Sequence, residues 1–406
     1  MKILLLNQVF YPDVVSTAQH LSELASALAE RGHQVTVIAG RRAYDDLAET
    51  FSARENWRGV EILRIFSTRL GKRGKWRRAV DFASFIFSCC TRLLFLPRHD
   101  LVVALTTPPL ISFIGAWRAK LWRAKFCYWV MDLNPDEAVA AGWLRADSPA
   151  GKILEWISRF SLRRADRIIA LDHFMCERIM EKGIAGKKIV VISPWSHDGE
   201  VRFDPAGREQ FRAAYRLQDK FVVMYSGNHS PVHPLDTLMQ AAGQLKDDSS
   251  ICFCFVGGGS EFKRVRRWAE DGKQANVLCL PYQPLNQLSA SLSAADVHVV
   301  VMGDAFVGLV HPCKIYNILA VAAPVLYVGP RPSHVTEILE DVGDNCLSAC
   351  VRHDESSLLA RHILDLKRRT GAGSQRTSKV ITTPFQQDIL LPKLVAVLEG
   401  TQNKEN

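Results

Sequence analysis

No apolar run in this 406-residue chain is long enough to cross a bilayer, which takes about 20 residues. The stretch from Phe82 to Leu96 is shorter and is broken by Arg92. The opening MKILLLNQVFYPD has too brief an apolar core for a secretory leader and reads as a first strand. Ten cysteines are present, yet they form neither paired Cys-x-x-Cys spacings nor a secretory framework. Cys89 and Cys90 are adjacent, and Cys252 and Cys254 alternate along an apparent strand. They read as small buried hydrophobes in a reducing compartment. Zinc-finger spacing, an RNA-binding aromatic signature and a basic heptad region are all missing, so nucleic acid is not an expected partner. A DxD-type carboxylate pair and a convincing covalent nucleophile are missing too. His229 and His233 stand four apart, but Pro231 and Pro234 oppose the helix that would align them as ligands. No metal site is expected. There is no tandem repeat beyond two α/β halves.

What is present is a globular composition, 48% apolar and 23% charged, and a length that implies two domains. The +9 net charge is unevenly placed. Residues 1–195 carry 29 Lys and Arg against 19 Asp and Glu, whereas residues 196–406 carry 22 against 23. A basic half suggests a membrane surface or an anionic substrate. Residues 62–80 hold seven cations and no acid: Arg64, Arg69, Lys72, Arg73, Lys75, Arg77 and Arg78. Phe82, Phe85, Phe87 and the run from Leu93 to Leu96 follow directly. A cationic segment leading into an aromatic one fits a helix lying on an anionic membrane. The alternation of Trp and cations from Trp117 to Trp129 is a second candidate, although Phe126 to Val130 also reads as a core strand.

The chain opens strand, loop, helix, strand (2–7, 21–32, 34–39), the start of a doubly wound sheet. Ser16 and Thr17 sit in the first loop, where they fit either a helix N-cap or a phosphate contact. Tyr128 to Met131 reads as a strand ending in Asp132-Leu133-Asn134-Pro135-Asp136. Ligands in such sheets bind beyond the carboxyl ends of strands, so Asp132 and Asp136 lie on the correct edge. Asp132 fits a base for a hydroxyl or a helix cap. Ser193-Pro194-Trp195 marks a hinge, and residues 196–218 a polar connection with one short helix. Phe221 to Tyr225 restarts the strand pattern. Gly227, Asn228 and His229 form the turn after it, and Gly257-Gly258-Gly259 form the turn after the strand 251–256. Such glycines let backbone approach a phosphate. Tyr282, in the loop after the strand 276–280, fits either stacking on a base or packing.

The segment from Asp296 to Gly329 organises the second half. A valine-rich strand (297–301) runs through a loop to Pro312, where a helix can begin because its missing N–H is not needed there. Lys314 in the first turn adds a cation beside the free helix N–H groups. Tyr316 and Asn317, one turn in, are placed to reach a ribose or base. The next strand is 325–328.

PCKIYNILAVAAPVL resembles the P-S-K-x-Y-E-x-L-A-x-G-x-P-V signature of family-4 glycosyltransferases. Cys313 stands for Ser, Asn317 for the nucleotide-binding Glu and Ala323 for Gly, with Asp304 the nearest candidate for an upstream acid. The segment 165–183 resembles the family's A-D-x-I/V element, and 227–233 its G-R-x-x-x-x-K turn, with Asn228 and His233 at the cation positions. A protonated His233 would supply part of the missing charge. The resemblance implies a GT-B fold: α/β, with two Rossmann-like domains facing a cleft, parallel sheets and helices on both faces. Expected boundaries are 1–195 for an acceptor domain with a membrane-facing region about 64–126, 196–383 for a nucleotide-sugar domain, and 384–406 for a helix crossing back plus a polar tail.

The resemblance further implies retaining transfer of a hexosyl or N-acetylhexosaminyl group from a UDP- or GDP-linked donor. The acceptor would be a lipid-linked or glycan hydroxyl in polysaccharide biosynthesis, at the inner face of the cell membrane. No cofactor beyond the donor substrate is implied. Its site residues are Lys314, Asp132 and His233 for catalysis. For the donor they are Ser16, Thr17, Gly227, Asn228, His229, Gly257, Gly258, Gly259, Tyr282, Pro312, Cys313, Tyr316 and Asn317. The alternatives are a nucleotide-sugar epimerase of the same fold and a catalytically weak glycan-binding pseudoenzyme.

Overall fold

Short runs rich in Val, Ile and Leu, each followed by an amphipathic segment, build two parallel sheets. The computed structural model describes residues 1–13, 15–43, 50–68, 70, 75–196, 201–370 and 384–400. Two units form: one from Met1–Pro194, Gly308–His311 and the segment from Asp388, the other from Trp195–Val307 and Pro312–Gln387.

The first unit contains β1 (Lys2–Leu6), α1 (Ser16–Glu30), β2 (Gln34–Gly40), β3 (Arg54–Trp57), β4 (Val60–Ile65), α2 (Lys75–Leu94), β5 (Leu101–Ala104), α3 (Ile111–Trp122), β6 (Lys125–Trp129), α4 (Asp136–Ala140), α5 (Pro149–Arg164), β7 (Arg167–Ala170), α6 (His173–Glu181) and β8 (Ile189–Val191). Its sheet order is β3-β4-β2-β1-β5-β6-β7-β8. All pairs are parallel except β3 with β4. Ile3, Leu4, Leu5 and Leu6 are wholly buried, as a central strand covered on both faces requires.

The pair β3 and β4 corrects the sequence reading, which placed Arg64 in a membrane-facing basic segment. Arg64 lies on β4 and is buried; its guanidinium reaches Glu55 and the carbonyl of Tyr11. Arg69, Lys72 and Arg73 lie outside the described residues. The 117–129 candidate also divides. Trp117 and Lys120 on α3 face outward, whereas Phe126, Tyr128 and Trp129 are core residues of β6.

The second unit contains α7 (Pro205–Ala214), β9 (Phe221–Asn228), α8 (Asp236–Gln244), β10 (Ile251–Gly258), α9 (Phe262–Asp271), β11 (Val277–Leu280), α10 (Leu288–Ser293), β12 (Val297–Val301), α11 (Lys314–Ala320), β13 (Val325–Val328), α12 (His334–Val342), β14 (Ser348–Val351) and α13 (Ser356–Thr370). The last helix, α14 (Gln387–Glu399), belongs to the first unit from Asp388 onward; Glu399 pairs there with Arg31 at 2.9 Å and His33 at 2.8 Å.

The second sheet is parallel throughout, in the order β11-β10-β9-β12-β13-β14. Phe221, Val223 and Tyr225 pack one of its faces with Phe253 and Phe255, while Val222, Met224, Cys252 and Cys254 pack the other. The cysteines thus serve as core residues. All ten are free thiols, and burial pushes the Cys252 thiol up to about 11. Asp296 anchors the sheet to α7 through Arg208 and Arg212, which are almost wholly buried with it.

Candidate functional site

Strand order reverses in the second unit between β9 and β12, and such a switch point opens a crevice at the carboxyl ends of its strands. The turn after β9 and the connection from β12 to α11 meet there. The Lys314 ammonium is hydrogen-bonded to the Tyr225 hydroxyl at 2.8 Å and lies 4.0 Å from the centre of that ring. A Cβ on Gly227 would stand 3.2 Å from the same nitrogen. Part of the lysine surface remains open, yet protein atoms crowd it, and desolvation pushes its pKa down to about 7. No carboxylate among the described residues is paired with it. Among the described residues, the site is therefore a lysine held beside a glycine turn without a counter-ion. An anion arriving there would supply the missing charge.

The predicted residues fall into three groups. Gly227, Asn228 and Lys314 gather at the switch point. Asn228 ends β9, is exposed, and its carbonyl accepts the Tyr225 hydroxyl at 2.7 Å. Gly257, Gly258 and Gly259 lie alongside, but their neighbours are protein. A Cβ on Gly257 would meet the Gly227 carbonyl oxygen at 2.1 Å, and one on Gly258 would meet the Tyr282 ring at 3.0 Å. Tyr282 is half exposed above those glycines. The glycines let two strand ends and a ring approach one another.

The second group is packing. His229 is buried among the rings of Tyr225, Phe255 and Phe262, and its Nδ1 meets the Gly227 carbonyl at 3.0 Å. Burial, with Lys314 adding to it, pushes its pKa down to about 4. His233 is corrected from the cation the sequence allowed. It is buried, its Nδ1 meets the Val301 carbonyl at 2.7 Å, and desolvation followed by Lys314 holds its pKa well below the usual histidine range. Tyr316 is corrected as well, because its ring sits in the core against Phe385 rather than toward a ribose. Pro312 is buried and precedes the helix by two residues; Cys313 is the N-cap and α11 begins at Lys314. Asn317 follows on α11, partly exposed.

The third group lies in the first unit, apart from Asp304. Neither Ser16 nor Thr17 caps α1: the N-cap is Val15, without a side-chain hydrogen bond. The Ser16 hydroxyl is buried and has no partner among the described residues. Asp132 pairs by backbone with Val310, and burial followed by the neighbouring Glu137 pushes its pKa up to about 8. Asp136 is tied to Lys182 at 2.8 Å, a structural role. Asp304 is exposed and 3.9 Å from His353 in the second unit.

Sequence reasoning missed Tyr225, since it read β9 only as core. Its signal was a Tyr three residues before Asn228, at a strand end entering a Gly-Asn turn.

Two family profiles match this chain, the glycosyl transferase 4-like domain over residues 17–195 and the glycosyl transferases group 1 over residues 207–326. The chain belongs to the family-4 glycosyltransferases, with a GT-B fold. Among curated relatives of this glycosyltransferase, the putative colanic acid biosynthesis glycosyl transferase WcaI of Escherichia coli is 25% identical over 84% of this chain and 86% of its own length. The probable glycosyltransferase WbjE of Pseudomonas aeruginosa is 27% identical, over 65% of this chain and 66% of its own. Among solved structures, Anabaena HepE in complex with UDP and glucose superposes with a TM-score of 0.72 at 16% identity, covering 98% of this chain and 99% of that one. That likeness is one of fold.

Proposed function

We propose that this glycosyltransferase moves a sugar from a nucleoside-diphosphate sugar to a hydroxyl of a lipid-linked or glycan acceptor in polysaccharide biosynthesis, with retention. The observation that carries the donor assignment is Lys314: a crowded cation over the Gly227 turn at the switch point, hydrogen-bonded only to Tyr225 among the described residues. A diphosphate is the ligand class that such a group complements. HepE, solved with UDP and glucose, and WcaI, named for colanic acid biosynthesis, support the donor class and the pathway class.

In this reading Lys314 carries charge that develops on the leaving diphosphate as the glycosidic bond breaks. With no side chain among the described residues placed as a covalent nucleophile, the leaving group itself helps take the acceptor proton on the same face of the sugar. Asp132, whose surroundings hold its pKa near neutrality, suits proton exchange with an acceptor hydroxyl. Lipid acceptors fit the outward apolar residues of α2, among them Trp76, Phe87 and Leu94, accompanied by the exposed Arg77 and Arg92. No helix among the described residues is long and apolar enough to cross a membrane, so contact would be at the surface. A catalytically weak glycan-binding protein is the competing reading, favoured by the neutral, buried His233.

Thermal stability measured against UDP, GDP, CDP, ADP and dTDP tests the donor site. A ligand at 100 times its dissociation constant adds about 2.7 kcal/mol. Selective stabilisation by one nucleotide supports the proposal and fixes the base. The absence of any shift would remove the donor site and favour the weak-binder reading.

A further inference from the structure

Helix α5 turns the wrong residues outward for a helix bathed only in water. At 100° per residue, Pro149, Lys152, Ile153, Trp156, Phe160, Arg163 and Arg164 fall within an arc of about 120°. All are exposed except Phe160, which is partly so. Ile153 is 58% and Trp156 60% exposed. The opposite side, with Gly151, Ser158, Ser161 and Leu162, is the buried one. The apolar payload and three cations therefore share the solvent face.

The arrangement is held in place. Trp156 packs against Phe160 at 5.8 Å and Phe113 of α3 at 6.0 Å, so its ring is presented on a fixed aromatic base. Glu155, the sole acid of α5, is turned aside and bonded to Arg159 at 2.6 Å and Lys182 at 2.8 Å. No acid lies on the outward stripe. α3 packs against both α2 and α5, so the three helices form one layer over the sheet. Trp117 and Leu121 of α3 are likewise exposed.

We propose that the outward stripe of α5, with Ile153 and Trp156 as wedges and Lys152, Arg163 and Arg164 as headgroup contacts, docks on an anionic lipid surface. Charge decides the occupant: an apolar stripe bordered only by cations matches an interface whose headgroups are negative and whose acyl region is apolar. Trp suits such a boundary because its ring is apolar and its N–H is polar. The inference rests on the lipid-surface part of the reading above and adds a separate helix to it, which fixes which layer of the first unit faces the membrane.

Flotation with phosphatidylglycerol–phosphatidylcholine vesicles, and with phosphatidylcholine vesicles alone, tests it. Three proteins are compared: the wild type, an α5 variant (Lys152→Glu, Ile153→Ser, Trp156→Ser, Arg163→Glu) and an α2 variant (Phe87→Ser, Leu94→Ser). Because the α5 positions are exposed, the variant should keep the wild-type circular dichroism and melting profile. A charge-only variant (Lys152→Glu, Arg163→Glu) serves if it does not. The expected result is binding of the wild type to anionic vesicles and a fall of at least about thirtyfold in partitioning for the charge-only variant, larger for the full one. Wild-type binding in the α5 variants with loss in the α2 variant overturns the α5 assignment while leaving the lipid-surface reading intact. Failure of the wild type to float overturns both, and equal binding to neutral vesicles overturns the role given to the cations.

Discussion

Asp172 Oδ2 lies 2.7 Å from His311 Nδ1, and both side chains are buried. The pair closes a strap. After Val307 the chain leaves the second unit, gives Gly308–His311 to the first, and returns at Pro312, two residues before α11. Leu133 donates its backbone N–H to Leu309 at 2.8 Å, and Gly308 fits only because a Cβ there would meet the Phe174 carbonyl oxygen at 2.6 Å. Four residues just ahead of α11 are thus held in the first unit by their backbone and by His311.

Breaking this pair should destabilise the first unit. His311→Leu removes one partner of a buried carboxylate and should cost about 1–3 kcal/mol. Asp172→Ala should cost more, because Asp172 also caps α6 by accepting the Met175 N–H at 2.7 Å. Denaturant unfolding of both single variants and the double variant checks the coupling; energies that add within about 0.5 kcal/mol would sink it.

On the proposed donor role, Lys314 should tie nucleotide affinity to pH. Its pKa is lowered from the free-lysine value to about 7, so the free protein sheds that charge as pH rises past 7. A bound diphosphate favours the charged form. Binding should therefore take up a proton above pH 7, and affinity should fall as pH rises toward 9. Titration calorimetry with UDP in buffers of different ionisation enthalpy checks it. Lys314→Met should weaken binding by about 10- to 100-fold near neutrality and flatten the pH dependence. An unchanged pH slope in that variant would move the titrating group elsewhere.

Asp132 ties stability to pH. Its folded pKa is raised from 3.8 to about 8, so the folded protein prefers the protonated acid. The associated stability is complete below about pH 4 and is lost as pH rises through about 8. Asp132→Asn should therefore melt several degrees above wild type at pH 8 and close to it at pH 4, since about 1 kcal/mol moves the midpoint by about 2–4 °C in chains of 150–250 residues. Equal shifts at both pH values would dismiss the ionisation account.

Gly257 tests the packing of the two glycine turns. Its φ is +134° and a Cβ would lie 2.1 Å from the Gly227 carbonyl oxygen. Gly257→Ala should cost at least about 1–3 kcal/mol in strain. It should also weaken nucleotide binding, because Gly227 underlies Lys314. Stability and UDP affinity both unaffected would show that the strand ends yield freely.

Much of the architecture was legible because its period was legible. Val297, Val299 and Val301, or Phe221, Val223 and Tyr225, announce strands covered on both faces, and the helices between them make the sheets parallel. Strand β4 was hidden because Arg64, a cation, sits in it, and its burial is made tolerable by the Glu55 carboxylate, the Tyr11 and Gly40 carbonyls and the Phe51 ring. The helix face of α5 was passed over for a related reason: an exposed Trp and a buried Trp are the same letter.

By itself the sequence determined two α/β halves, the Lys314 and Gly227 segments, and the family that they resemble, since these follow from local period, spacing and residue type. Tertiary structure alone decided which groups carry charge and which are packed away. Lys314 loses proton affinity, Asp132 gains it and His233 stays neutral, because desolvation depends on neighbours brought in from distant parts of the chain. It alone also joined Asp172 to His311 across 139 residues, a contact that no periodicity encodes.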